Sequence, residues 1–408
     1  MKIAVIGSGI SGLSSAYFLS KKFKVDLYEK ADHFGGHSYT YEIKEGDKIV
    51  PVDLGFIVFN EVTYPNLIKF FKDLNVLYEK SDMSFSVSIK NTEIEYSGSG
   101  LSGIFANRLN LLNLKFLIMI KEIISFYKTA PEILKNKIKE QTLGDFLSKK
   151  KLSKYFIEYH IIPMVAAIWS MPFEKAKKMP IKFFLNFFIN HGLFKLKNRP
   201  QWYTVSNRSR SYVKKVTDKI SGEIFKNYKV SKIVRSDDNV RIMIGNEYID
   251  YDQVVLASHA DESLDILEKP TTQEKNILGK FKYVENEAIL HTDESLMPQR
   301  KRAWSSWNSI SDGNGTCITY WLNKLQNLET PSNYFLTLNP IHNVKDNLII
   351  KKIKFTHPYL NTENTIIQKD LHLIQGKKRT WFCGSYFGYG FHEDGLKSSI
   401  ELTNNFKI

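Results

Sequence analysis

The sequence predicts an α/β fold, α+β overall, in which a Rossmann-like dinucleotide-binding domain is interleaved with a second domain of helices and antiparallel sheet. Three observations predict it. Residues 1–29 read as strand, glycine-rich turn, helix and strand. At 408 residues, 43% of them hydrophobic, the chain is longer than one compact domain usually is and can bury a large core. Residues 379–396 read again as strand, glycine turn and helix, so both ends belong to one domain. The expected boundaries are 1–95, 205–270 and 371–408 for that domain, with 96–204 and 271–370 forming the other.

Lys2-Ile3-Ala4-Val5-Ile6 is an apolar run of buried-strand length, followed by Gly7-Ser8-Gly9-Ile10-Ser11-Gly12 and by Leu13 to Leu19, which opens a helix. Each glycine is there for its own physical reason. Gly7 makes the tight turn, Gly9 lets backbone approach a pyrophosphate, and Gly12 lets helix and sheet pack closely. The phosphates would rest on the positive helix end, beside Ile10 and Ser11. A second strand, Lys24 to Tyr28, ends at Glu29, whose carboxylate stands where it can accept both hydroxyls of an adenosine ribose. Gly98-Ser99-Gly100-Leu101-Ser102-Gly103 repeats the glycine pattern. Bulky Ile104 and Phe105 follow it, and no strand ending in an acid comes about 20 residues on, so a loop is expected there.

The formal charge of +14 is concentrated at Lys149-Lys150-Lys151, Arg300-Lys301-Arg302, Lys351-Lys352 and Lys377-Lys378-Arg379. Such charge favours anionic partners, and an acidic membrane surface fits better than nucleic acid, for which no motif is present. Heavy lysine use throughout the chain explains part of it. Two cysteines, Cys317 and Cys383, make no disulfide framework and suit a reducing cytoplasm. The opening Met1-Lys2 and apolar run pass straight into a strand-helix-strand unit, which argues against a signal peptide. Leu111 to Tyr127, the most apolar stretch, is interrupted by Lys115, Lys121 and Glu122, too early for a spanning segment of roughly 20 residues. The expectation is a cytoplasmic protein, with peripheral attachment at the inner membrane face open to it.

Further along, Tyr64 to Leu74 reads as a helix and Met83 to Ser88 alternates as a strand. Leu101 to Asn136 has helical density, Thr142 to Lys150 adds another helix, and Phe183-Phe184-Leu185-Asn186-Phe187-Phe188 is an aromatic run suited to the interior of this block. Tyr228 to Val230 and Val240 to Ile244 read as antiparallel strands, and Tyr251 to Ala257 as a buried one. Glu285 to Leu290, Thr316 to Leu322 and Tyr334 to Leu338 have strand character and suggest a sheet in the second domain. Arg379 to Gly384 enters the turn Ser385 to Leu396, ahead of a short helix.

The first sixty residues, with Lys30-Ala31-Asp32-His33-Phe34-Gly35-Gly36-His37-Ser38 after Glu29, resemble the flavoprotein superfamily of monoamine oxidases, protoporphyrinogen oxidase and phytoene desaturases. The resemblance implies an FAD-binding domain of glutathione-reductase type. In it Gly35 and Gly36 would continue the diphosphate and ribityl cradle, flanked by Lys30, His37 and Ser38. Val52-Asp53-Leu54-Gly55-Phe56 would run beside the isoalloxazine ring, and Val230 would pack on the adenine side. The turn at Gly384, Ser385, His392, Gly395 and Leu396 would offer backbone N–H groups to the flavin. Many relatives have a glycine pair where Asn207-Arg208 stands here, and most have an acid where Ser385 stands. Cys383 reads as a small buried residue, so the FAD is expected to be non-covalent.

Longer runs are similar to one subgroup: Pro51 to Glu61, Ser81 to Ser88, Ala303-Trp304-Ser305-Ser306-Trp307-Asn308 and Gly388 to Gly395 resemble bacterial FAD-dependent oxidoreductases associated with cyclopropane-fatty-acid-synthase-like methyltransferases. That implies a role on unsaturated or methyl-branched acyl chains in phospholipid, with such a methyltransferase as partner. Glu61, Tyr64 and His392 are candidates for proton handling, and Trp304 and Trp307 for the walls of a substrate pocket. Structural roles for each stay open: a helix cap for Glu61, core for Tyr64 and the tryptophans, a flavin carbonyl for His392. The segment Tyr283 to Ile289 has no lysine where amine oxidases of the superfamily hold one, which counts against amine oxidation. His191, His259 and His291 are dispersed without ligand spacing, so no metal is expected. The leading expectation is an FAD-dependent desaturase. The alternatives are a redox-neutral fatty acid isomerase, an amine oxidase, and a flavin-binding partner that delivers lipid without turnover.

Overall fold

The computed structural model describes every residue except 91, 137–138, 170, 313–315, 360 and 407–408. A five-stranded parallel sheet gathers Ile224–Phe225, Lys24–Tyr28, Lys2–Ile6, Gln253–Leu256 and Thr380–Phe382, in that spatial order. Three distant stretches of chain therefore build one sheet. Its strands are continuous apolar runs because both faces are covered. Ile3, Val5 and Val255 face the helices, packing with Leu13 and Leu396, while Ala4, Ile6, Val254 and Phe382 face the other way. On that second side lies an antiparallel sheet of Val230–Arg235, Val240–Ile244 and Glu247–Tyr251.

The first helix, Ile10–Leu19, lies against the C-terminal helix, His392–Asn405. Small residues let the two approach, and Ser14 and Ser399 share a hydrogen bond of 2.6 Å between their hydroxyls. The C-terminal helix has 14 residues and is not the short one expected from sequence.

The second domain has a seven-stranded sheet, ordered Ile349–Tyr359, Lys282–His291, Phe335–Leu338, Thr316–Trp321, Trp307–Ser311, Phe85–Ile89 and Glu95–Ser97. Phe85–Ile89 pairs in parallel with Trp307–Ser311, so the chain enters this domain before residue 85, earlier than the boundary at 95 read from sequence. Its helical block contains the long helix Leu114–Lys135 and the aromatic helix Ile181–Asn190, which pack together. The second glycine motif is not a loop: Gly100–Ile104 is a short helix. A Cβ on Gly103 would stand 2.2 Å from Ser97 Oγ, so glycine there serves close packing.

Asn207 and Arg208, at the return to the first domain, have φ of 60° and 70°. The chain thus keeps a left-handed path without glycine. Asn tolerates that region; Arg208 is held in it by its surroundings, with Nε donating to Pro51 O at 2.9 Å from a buried position. Among the described residues no helix is long and apolar enough to cross a membrane.

Candidate functional site

A cavity of about 1040 Å³ runs from the carboxyl ends of the parallel strands into the second domain. That lies at the upper end of ordinary ligand pockets, roughly 300–1,000 Å³. Gly7, Ser8, Gly9, Ile10 and Ser11 line one end with Glu29, Lys30, Gly36 and Val230.

The three glycines of the first motif do different things. Gly7 has φ +98°, and a Cβ on Gly12 would stand 1.8 Å from Gly7 O, so backbone shape and packing each demand a glycine there. Gly9 has φ −62° and ψ 178°, which any residue adopts, and a Cβ built on it meets nothing within 4 Å. Among the described residues no protein contact requires glycine at Gly9, so the space it leaves fits a ligand that must come within reach of the backbone. As the N-cap of the first helix it supplies no side chain to the N–H groups of the first turn. Those donors and the empty cradle suit a pyrophosphate, and the residues present therefore fit a dinucleotide.

Glu29 is buried. Its Oε2 accepts from Ser8 N at 2.8 Å and Ser8 Oγ at 2.6 Å, and its Oε1 from Ala31 N at 2.9 Å. A carboxylate has about four lone-pair positions, so capacity for a ribose hydroxyl remains. Beside it Lys30 pairs with Glu262, which also lines the cavity, at 2.5 Å.

Gly12, Gly35, Ser38, Gly395 and Leu396 stand behind the lining and shape it. A Cβ on Gly395 would come within 2.7 Å of Ser11 Oγ, so this glycine brings the C-terminal helix onto the first turn of the first. Gly384 and Ser385 line the cavity, while Cys383 lies behind them beside Ser15, its thiol pushed up to about 12 by burial. Asp394 accepts from Phe391 N at 2.9 Å. Desolvation pushes its carboxyl up to about 7, with the neighbouring Glu393 adding to the rise. Because the folded form binds the proton more tightly than an unfolded chain, this residue's contribution to stability is lost as pH rises from about 4 to about 7. Asp394→Asn keeps an acceptor for the turn. It should raise stability at pH 8 by roughly 2 kcal/mol after allowance for partial exposure, an effect that urea melts should show vanishing near pH 4.

The other end of the cavity is aromatic. Gly55, Phe56 and His37 lead into it, and Tyr64, Trp169, Phe187, Trp202, Tyr320 and Phe391 border it. His392 stacks on Phe56 with ring centroids 3.6 Å apart; its Nε2 lies 2.9 Å from Ser38 Oγ and 3.2 Å from the Tyr212 hydroxyl. Burial holds its imidazole down to about 3. Tyr64 is buried in the lining, and burial drives its phenol well above the usual range.

Glu61 is brought to neither place: it is exposed and outside the cavity. Among the described residues it caps nothing: its neighbour Asn60 closes the turn ahead of the helix Pro65–Asp73, its Oδ1 accepting from Val62 N and Thr63 N. The N–H groups of that helix's first turn are met instead by Glu393, which accepts from Asn66 N and Leu67 N. Trp304 also lies away from the cavity, packed on Trp321 and Phe335 with Nε1 donating to Pro298 O. Trp307 does line it, and both its Nε1 and His37 Nε2 are buried without a partner among the described residues. Unpaired buried polar atoms beside a cavity are ready for a ligand's polar groups.

Sequence reasoning gave no pocket role to Trp169, His191, Trp202, Tyr320 or Phe391. Their nearest signal was aromatic density, which marks core and pocket alike. Phe187 of the aromatic run is in the lining, stacked between His191 at 3.8 Å and Phe391 at 5.0 Å.

Residues 5–74 match the NAD(P)-binding Rossmann-like domain family. No curated protein sequence matches the chain significantly. Among solved structures, the CLA-producing fatty acid isomerase from P. acnes superposes with a TM-score of 0.70 at 13% identity, covering 100% of this chain and 98% of that one. Cyclohexylamine oxidase from Brevibacterium oxydans gives 0.66 at 12% identity, over 99% and 98%. Putrescine oxidase bound to putrescine gives 0.70 at 11% identity, over 99% of each chain. At such identities the likeness establishes the fold. The chain carries a Rossmann-like dinucleotide-binding domain in the two-domain α/β architecture of these enzymes.

Proposed function

We propose that this chain is an FAD-dependent oxidoreductase that removes two hydrogens from a fatty acyl chain, as a desaturase acting on phospholipid. The observation that carries the reading is the distribution of charge around the cavity. Its carboxylates, Glu29, Asp32, Glu262 and Asp265, lie on segments that follow the strands Lys24–Tyr28 and Gln253–Leu256, at the dinucleotide end. At the aromatic end the ionisable groups are neutral near pH 7: burial raises Tyr64, and burial lowers His191 to about 4 and His392 to about 3. A cationic amine would lose its hydration there without meeting a counter-charge. An acyl chain loses nothing comparable. Lys351 and Lys352, exposed on the edge strand Ile349–Tyr359 at the cavity rim, suit the anionic head of such a substrate, while Lys354 beside them pairs with Glu285 at 2.8 Å.

FAD, when bound, supplies a hydride acceptor. The chain's own residues do the remainder. Tyr64, Phe187, Trp202 and Phe391 exclude water and confine an apolar chain. His392 Nε2 meets the hydroxyls of Ser38 and Tyr212, a hydrogen-bond chain along which a proton can pass, while burial keeps the ring itself neutral. Trp307 offers a donor to a carbonyl oxygen of the substrate.

Anaerobic mixing of FAD-loaded protein with unsaturated phospholipid tests this. The expected result is bleaching of the visible flavin band together with a lipid product two hydrogens lighter. Product of unchanged mass without lasting bleaching would instead identify an isomerase, and peroxide release with primary amines an amine oxidase. An unchanged spectrum and unchanged lipid would leave a carrier and overturn the oxidoreductase reading.

A further inference from the structure

Eight of the eighteen large apolar side chains that stand exposed among the described residues fall between residues 101 and 124. Six of them are nearly consecutive: Leu109, Leu111, Leu112, Leu114, Leu117 and Ile118, exposed by 62, 51, 85, 74, 37 and 50%. They cover the turn Arg108–Leu111 and the opening of the long helix, whose opposite face, Phe116, Met119, Ile123 and Phe126, is buried in the helical block. The helix therefore has apolar residues on both faces at its start, and among the described residues only one of those faces is covered. Such a concentration is unusual on a soluble surface, where exposed apolar side chains are scattered singly.

Cations frame this patch. Arg108, Lys115, Lys121 and Lys128 are exposed on the same turn and helix. The acid beside them, Glu122, is committed elsewhere, accepting from Ser153 N at 2.9 Å and from the Ser153 hydroxyl. Leucine tips with long basic side chains between them match the boundary between lipid headgroups and acyl chains, where apolar groups enter and lysines reach back to phosphate. We infer that residues 101–124 dock the protein on an anionic lipid bilayer, with the long helix lying along the interface. The long helix packs on the aromatic helix that supplies Phe187 to the cavity, so the docked face and the aromatic end share one helical block. The inference goes beyond the acyl-chain reading and does not depend on it, since docking is measured without turnover.

The test is flotation of the full-length protein with vesicles of phosphatidylcholine alone or of equal parts phosphatidylcholine and phosphatidylglycerol. Wild-type protein should float with the mixed vesicles, weakly with the neutral ones, and progressively less as salt screens the cations. The double variant Leu112→Glu/Leu114→Glu should bind at least about tenfold more weakly. Lys115→Glu/Lys121→Glu should lose the preference for phosphatidylglycerol. All these positions are exposed, and unchanged circular dichroism melts would confirm that the variants fold. Wild-type protein that stays with the unbound fraction would overturn the proposal, as would leucine variants that float like the wild type. Loss of self-association in the leucine variants, with no vesicle binding by the wild type, would assign the patch to a second copy of the chain instead.

Discussion

Acidification from pH 6.5 to 4 is expected to unfold this protein steeply. His160, His191 and His291 are buried, and desolvation holds them down to about 3, about 4 and about 4. His160 is fixed between the hydroxyls of Tyr96 and Tyr127, at 2.9 and 2.8 Å, an arrangement that serves the neutral ring. At the cavity, burial lowers His37 well below its ordinary value, His357 to about 4 and His392 to about 3. An unfolded chain titrates each near 6.5. Below that pH the unfolded state binds more protons, so stability falls as pH drops toward the folded values near 4 to 3.

Two carboxylates oppose the trend. Burial raises Asp53 to about 6, despite hydrogen bonds from Thr40 and Ser209, and Asp394 to about 7. Each is largely protonated in the folded protein at pH 5 and ionised in the unfolded one. The three deep histidines alone then leave a net uptake of about one proton on unfolding, and all six about four. The slope is about 1.4 to 5 kcal/mol per pH unit. His37, His357 and His392 count fully only when the cavity is filled, so cofactor loading should steepen the transition. Urea midpoints measured between pH 6.5 and 4.5 check this. Stability independent of pH across that window would contradict the burial of neutral imidazoles.

Gly9→Val should abolish cofactor retention while leaving the fold intact. The backbone at Gly9 is open to any residue and its Cβ direction is empty, so valine costs the apoprotein little. The same side chain occupies the cradle beside the first-turn N–H groups, and FAD affinity should fall by about a hundredfold or more, close to 3 kcal/mol. Gly12→Ala is the contrast. Its methyl group would lie against Gly7 O, and overpacking of that kind costs about 1–3 kcal/mol. Bound flavin per protein and melting temperature, read together, separate the two. Valine at position 9 with a full complement of flavin would remove the cradle from this site.

The readable part of the site was local. Gly7, Gly9, Gly12 and Glu29 stand in a spacing whose meaning depends on neighbouring backbone; in the structure Gly7, Gly9 and Glu29 line one end of the cavity and Gly12 packs behind them against Gly7. The aromatic run Phe183 to Phe188 was legible as a buried helical face, since apolar spacing reports burial. Which phenylalanine reaches the cavity was not. Glu61 shows the same limit: a carboxylate just ahead of a helix drew attention, while the one that meets the helix's first turn, Glu393, lies more than three hundred residues away in the chain. Trp304 and Trp307 are three residues apart, yet one turns into a small cluster with Phe335 and the other opens a strand along the cavity.

Residues within a few positions of one another determined, by sterics and hydrogen bonding alone, the turn and helix start that form the dinucleotide cradle, and these could be read from the sequence. The pairing of Phe56 with His392, the cap that Glu393 places on Asn66 and Leu67, and the neutral aromatic end of the cavity were decided only by the tertiary structure. Each of these joins residues hundreds of positions apart. Their contact and desolvation depend on how whole sheets and helices pack, and no local pattern in the chain encodes that.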